Sequence, residues 1–93
     1  MKHWLIIYDV RDARRLARIA RAMSQYAVRV QKSVFEMDAG EPIVRKLRSE
    51  VARLMAEEDF VVYFEICERD WQKREKYGVQ IYDELRDETY YIY

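Results

Sequence analysis

His3-Trp4-Leu5-Ile6-Ile7-Tyr8-Asp9, the arginine-studded run over 11–21, and Arg29-Val30-Gln31-Lys32-Ser33-Val34-Phe35-Glu36 together decide the fold. The first segment is dense in β-branched and aromatic side chains without clean alternation, which suits a central strand covered on at least one face. In the second, Asp12 can cap a helix. Leu16, Ile19, Ala20 and Met23 recur at helical spacing, so a first helix is expected over about 12–26. From Ala27 to Asp38 the pattern turns to β, and the polar Gln31-Lys32-Ser33 leaves either one bent strand or a short hairpin.

Outward from this stretch, Gly40-Glu41-Pro42 signals a helix start, and Ile43, Leu47, Val51, Leu54 and Met55 mark a buried face over about 41–57. Phe60 to Cys67 reads as a strong strand, with Val62, Phe64 and Ile66 on one face and Val61, Tyr63 and Glu65 on the other. Two weaker strands are expected near Tyr77–Tyr82 and Thr89–Tyr93. The order strand, helix, strand pair, helix, strand is a split β-α-β pattern of the α+β class, with two helices on one face of an antiparallel sheet. The other sheet face also needs cover. In so small a domain that points to a second copy, with Tyr90-Tyr91-Ile92-Tyr93 as a strand added to the partner's sheet edge.

The 93 residues make one domain, 1–93, with 77–93 expected to serve the dimer or partner interface. Such a domain buries only about 60–65% of its unfolded surface. The single cysteine, Cys67, excludes an intrachain disulfide and is expected as a small buried side chain on a strand. The apolar start is too short for a signal-peptide core or a bilayer span, so a cytoplasmic protein with no membrane partner is expected. Formal charge is zero, yet residues 1–34 carry eight basic and two acidic groups, net +6, and residues 57–93 five basic and eleven acidic, net −6. A polyanion could dock on the first third.

Asp9 ends the first strand, where its carboxylate should emerge into the turn beside the basic helix. It is either a capping carboxylate or a metal ligand. One carboxylate is a poor cage for magnesium, but two-fold symmetry could bring two Asp9 side chains to one or two ions and support phosphodiester hydrolysis. Arg11, Arg14, Arg18 and Arg21 fall three, four and three apart, with Arg15 adjacent, forming a stripe along which a phosphate backbone could lie; Arg29 extends it. The alternative is a solvated helix face. Arg45, Lys46, Arg48 and Arg53 alternate with Glu41 and Glu50 and read as ordinary surface. His3, the only histidine, reads as structural. Ser33 lacks a glycine elbow and a histidine partner, which argues against a serine nucleophile. With Gly40 and Gly78 the only glycines, neither a phosphate-binding loop nor a dinucleotide fingerprint can be built.

Tyr8-Asp9, Arg18-Ile19-Ala20 and Arg29-Val30-Gln31-Lys32-Ser33-Val34-Phe35-Glu36 together resemble the Cas-two family, the smaller of the two CRISPR-associated adaptation proteins. The resemblance is strongest over residues 3–37. It implies a ferredoxin-like βαββαβ subunit with an additional C-terminal strand, a homodimer, a part in acquiring new CRISPR spacers, and the CRISPR integrase and duplex DNA as partners. It also implies a magnesium-dependent endonuclease acting on single-stranded RNA or duplex DNA, in which Asp9 matches the metal aspartate. Tyr8, Arg18, Arg29, Ser33 and Phe35 match other motif positions associated with that activity. The rival reading is an architectural adaptor that bridges integrase dimers and cuts nothing. Ala27 departs from the family, which often has a glycine closing the first helix. Glycine suits a left-handed helix terminus, so the turn into the second strand, and with it the place of Arg29, is put in question.

Overall fold

The computed structural model describes residues 2–78. The chain runs β1 (Lys2–Asp9), α1 (Ala13–Ser24), β2 (Val28–Gln31), β3 (Val34–Ala39), α2 (Glu41–Leu54), β4 (Phe60–Ile66) and a short α3 (Glu68–Gln72). The four strands form one sheet in the order β2-β3-β1-β4, and every neighbouring pair is antiparallel. This is the ferredoxin-like arrangement that the element order implies. The expected strand near Tyr77–Tyr82 begins at the last described residues, where Tyr77 is exposed and outside any strand. Its remainder, and the C-terminal strand at Thr89–Tyr93, lie outside the described residues.

One residue type at each helix start explains why the helices begin where they do. The Asp12 side chain accepts from the Arg15 N–H at 2.9 Å, satisfying one of the orphan donors of the first turn of α1. α2 starts behind Gly40 with Pro42 in its first turn, where the missing N–H costs nothing. The end of α1 closes without a left-handed residue: Gln25 keeps right-handed angles, and the Tyr26 and Ala27 N–H groups both donate to the Met23 carbonyl, at 3.0 and 2.8 Å. Ala27 is thus accommodated, and the chain enters β2 directly.

The core lies between the sheet and α1 and α2. Trp4, Ile6 and Tyr8 of β1 and Phe35 and Met37 of β3 meet Ile19 and Met23 of α1 and Val44, Leu47 and Val51 of α2. Because side chains alternate across a strand, the intervening residues His3, Leu5, Ile7 and Asp9 point to the opposite face, which α1 and α2 do not cover. The 31–33 segment is a hairpin rather than a bent strand. Lys32 and Ser33 make the turn, and the ladder shifts between Arg29 and Gln31, which absorbs the polar interruption.

Three residues sit elsewhere than the sequence pattern suggests. Ile43 is exposed and Val44 takes its place in the core, a difference of one residue or about 100° around the helix. Cys67 is exposed beyond the end of β4, at the cap of α3, and is not a buried strand residue. Arg48 is more than plain surface: its guanidinium lies 5.6 Å from the Trp4 ring centre and 5.5 Å from that of Tyr63, shielding two core aromatics from water. No helix among the described residues is long and apolar enough to cross a membrane.

Candidate nucleic-acid interface and the Asp9 strand end

Four arginines of the expected stripe are exposed among the described residues. Arg14, Arg18 and Arg21 are exposed along the outer side of α1, away from the buried Ile19 and Met23, and Arg11 is exposed just before the helix cap. Arg15 is not part of that surface. Its Nε donates to Asp59 at 2.7 Å and its Nη2 to Asp59 at 3.0 Å and to Glu58 at 3.1 Å, so it ties α1 to the loop before β4. The Asp59 carboxylate is enclosed, also accepting the Ala56 N–H at 2.8 Å, and the Arg15 guanidinium holds its carboxyl below the ordinary range. Arg15 is therefore a structural ion pair, which corrects its assignment to the nucleic-acid surface.

Arg29 joins the helix layer from the sheet. It pairs with Phe35 across the β2–β3 ladder and so lies on the helix side, where it and Arg21 border a shallow groove floored by Leu16, Ala17 and Ala20. Its guanidinium is held in place: Nη2 and Nε donate to the Lys32 carbonyl at 2.7 and 3.2 Å, and Cζ lies 5.7 Å from the Phe35 ring centre.

The same Lys32 carbonyl also accepts the Tyr8 hydroxyl at 2.9 Å, while the Tyr8 N–H bonds the Ser33 carbonyl at 3.1 Å. Tyr8 and Phe35 are buried and packed at a tilt, 6.0 Å between ring centres. Burial pushes the Tyr8 hydroxyl pKa up, more than the nearby Arg29 lowers it, so this group stays a neutral donor. In one chain, Tyr8 and Phe35 hold the hairpin turn beside Asp9 and make no surface for a substrate. Ser33, half-buried in that turn, takes part through its carbonyl. Sequence reasoning did not single out Lys32, whose carbonyl collects three donors. Only the hairpin geometry reveals it.

Asp9 is exposed at the end of β1, as expected. It pairs in register with Phe60 of β4, and alternation puts its carboxylate on the face that α1 and α2 do not cover. Phe60 is 56% and Phe64 46% exposed there, with Leu5, Ile7, Val34 and Val62 half-buried around them. Among the described residues no group of three or more histidine, cysteine, aspartate or glutamate side chains could hold a metal ion. At this strand end the described residues thus offer magnesium a single carboxylate, short of the oxygen ligation it requires.

Fold and site together define a ferredoxin-like subunit with a basic helix layer on one side and, on the other, a sheet face that leaves Phe60 and Phe64 exposed among the described residues and is edged by a carboxylate. The family model for CRISPR associated protein Cas2 matches residues 1–74. The chain belongs to that family. It is 39% identical over 56 residues to CRISPR-associated endoribonuclease Cas2 1 of Chloroflexus aurantiacus, covering 60% of each chain. It spans between half and three fifths of the length of the curated relatives it matches first. Among solved structures, Streptococcus pyogenes Cas2 superposes with a TM-score of 0.72 at 25% identity, over 82% of this chain and 99% of that one. A chain of a partial Cas6-RT-Cas1–Cas2 complex superposes with a TM-score of 0.73 at 27% identity, over 82% of this chain and 90% of that one.

Proposed function

We propose that this chain is a nucleic-acid-binding subunit of CRISPR adaptation that works as a homodimer with the CRISPR integrase. The observation that carries the reading is the row of exposed arginines, Arg14, Arg18 and Arg21 on the solvent side of α1 with Arg11 just before it, and Arg29 fixed beside them. Guanidinium groups at this spacing suit the phosphates of a duplex, and each neutralised phosphate releases counterions. A Cas2 chain in the solved complex with Cas1 supports the integrase as partner. The apolar sheet face supports a second copy as its cover.

Duplex binding measured against salt concentration tests this reading. Replacing Arg14 and Arg18 by alanine should flatten the log–log slope by about 0.9 for each lost phosphate contact. An unchanged slope would remove α1 from the interface.

A second reading, endonuclease activity, draws on the exposed Asp9 and on the endoribonuclease names of the curated relatives. Because Asp9 lies on the face that a second copy would cover, a dimer could supply the second carboxylate that a single chain lacks. Asp9 of each copy would then hold magnesium, which supplies Lewis-acid activation of a phosphodiester. Tyr8, Arg29 and the Lys32–Ser33 turn would fix the strand end from below. Metal-dependent cutting of single-stranded RNA or duplex DNA that is lost in Asp9→Asn would establish this reading. No cutting, or cutting that survives the mutation, would leave the adaptor.

A further inference from the structure

The sheet face that α1 and α2 do not cover is not bare at its far end. There α3 packs on β1, and what holds it is the only histidine of the chain. His3 Nδ1 lies 2.6 Å from Asp38 Oδ1 of β3, and its Nε2 lies 2.5 Å from Glu68 Oε1 of α3. Its ring stacks on Trp71 of α3, with centres 4.8 Å apart and planes within 7°. The imidazole side chain is only 15% exposed, and Trp71 is buried. Arg74 Cζ lies 3.9 Å from the centre of the same indole, and Arg74 Nε and Lys76 Nζ both reach Glu36 of β3, at 3.3 and 2.8 Å.

A carboxylate can only accept, so two carboxylates on the two ring nitrogens require both nitrogens to carry hydrogen. That is the imidazolium. A neutral ring has one N–H and one lone pair, so one of the two carboxylates would face a lone pair across 2.5–2.6 Å. The charged groups facing His3 are Asp38 from β3 and Glu68 from α3. Its register partner on β4 is the uncharged Ile66, and Arg74 reaches it only through Trp71.

We infer that His3 is the clasp of a proton-controlled strap: charged, it bridges Asp38 and Glu68 and seats α3 on the end of the sheet; neutral, it releases α3. Beyond α3, Lys76 and Arg74 reach Glu36, while Arg74 also stacks on Trp71 and donates to its carbonyl at 2.8 Å, so the release moves Glu68–Gln72 and the Trp71 ring against this second anchor. The direction of the shift agrees. The hydrogen bond to Glu68, then that to Asp38, raises the His3 pKa above its usual value. A raised histidine pKa means that the clasp contributes fully below about pH 6.5 and is lost as pH rises through the higher folded value.

Because His3 is the only histidine, its ring C–H signals can be followed by NMR without ambiguity. In the full chain, these signals and the Trp71 ring signals, assigned through Trp71→Phe, should titrate together with a midpoint above 6.5. Glu68→Gln should bring the His3 midpoint down toward the ordinary value. His3→Phe, which retains an aromatic ring against Trp71 but has no N–H donor, should abolish the pH dependence of the Trp71 signals. A wild-type His3 midpoint at or below 6.5, or Trp71 signals indifferent to it, would overturn the clasp. The wild-type titration decides the matter even where a variant fails to fold.

Discussion

At the scale of single residues, the Lys32 carbonyl explains how a four-residue edge strand can hold a cation steady. It receives the Tyr8 hydroxyl and two Arg29 N–H groups, so the turn, the arginine and the strand end next to Asp9 are fixed as one unit. Removing one donor tests how much each contributes. Tyr8→Phe deletes the hydroxyl without opening a cavity, and Arg29 still satisfies the acceptor. The cost should therefore sit in the range of one ordinary hydrogen bond, about 0.5–1.5 kcal/mol, and not at the higher cost of an orphaned buried group. Denaturant unfolding of the two proteins measures it. A loss well above 2 kcal/mol would mean that Arg29 does not hold the turn alone. The same variant bears on Tyr8 in catalysis: a residue that only positions the turn should leave metal-dependent cutting, if present, largely intact.

At the scale of elements, two consecutive arginines in the first turn of α1 have opposite fates, and an experiment can separate them. Arg14 faces solvent, while Arg15 is paired with the enclosed Asp59. Arg15→Ala should leave the salt slope of duplex binding unchanged and lower stability instead, because it strands a carboxylate out of water. The effect has a pH signature. Asp59 is held below its ordinary range, so the pair stabilises fully above about pH 3.9 and its contribution is lost as pH falls through the lower folded value. Without Arg15 that contribution is absent, so the acid-induced loss of stability should be shallower in thermal unfolding between pH 2 and 7; identical acid limbs would refute the pairing. This ion pair also shows where sequence reading stops. Helical spacing identifies the stripe and the buried Ile19 and Met23, but Asp59 lies 44 residues away and no local pattern links the two. Elements with periodicity or punctuation were legible: β1, α1 behind Asp12, α2 behind Gly40-Glu41-Pro42, and β4 with its two faces. The five-residue α3 was not, since five residues carry no helical periodicity and its Trp71 packs on His3, far away in sequence. The Asp9 direction was readable in principle, because Tyr8 turns inward and the next residue must turn outward.

At the scale of the whole molecule, the two sheet faces divide the work. The helix face is sealed by the core and carries the arginines outside it, whereas the opposite face leaves Phe60 and Phe64 about half exposed between the Asp9 end and α3. Among the described residues nothing covers Phe60 and Phe64, and a stable homodimer commonly buries about 800 Å² from each copy. Phe64 is the residue to change. It pairs across the ladder with Leu5 near the middle of the face, and its side chain points away from the helix core. Phe64→Asp should therefore leave the fold and its melting cooperativity in place while converting a dimer to a monomer in sedimentation velocity at micromolar concentration. The consequences should then separate by side of the sheet. The α1 arginines of each copy remain, so duplex binding should persist with a salt slope near half that of the dimer. Any activity needing Asp9 from both copies should disappear. A wild-type chain that sediments as a monomer, or a Phe64→Asp chain that still dimerises, would show that this face is not where two copies meet, and Asp9 would then be left as a solitary carboxylate at a strand end.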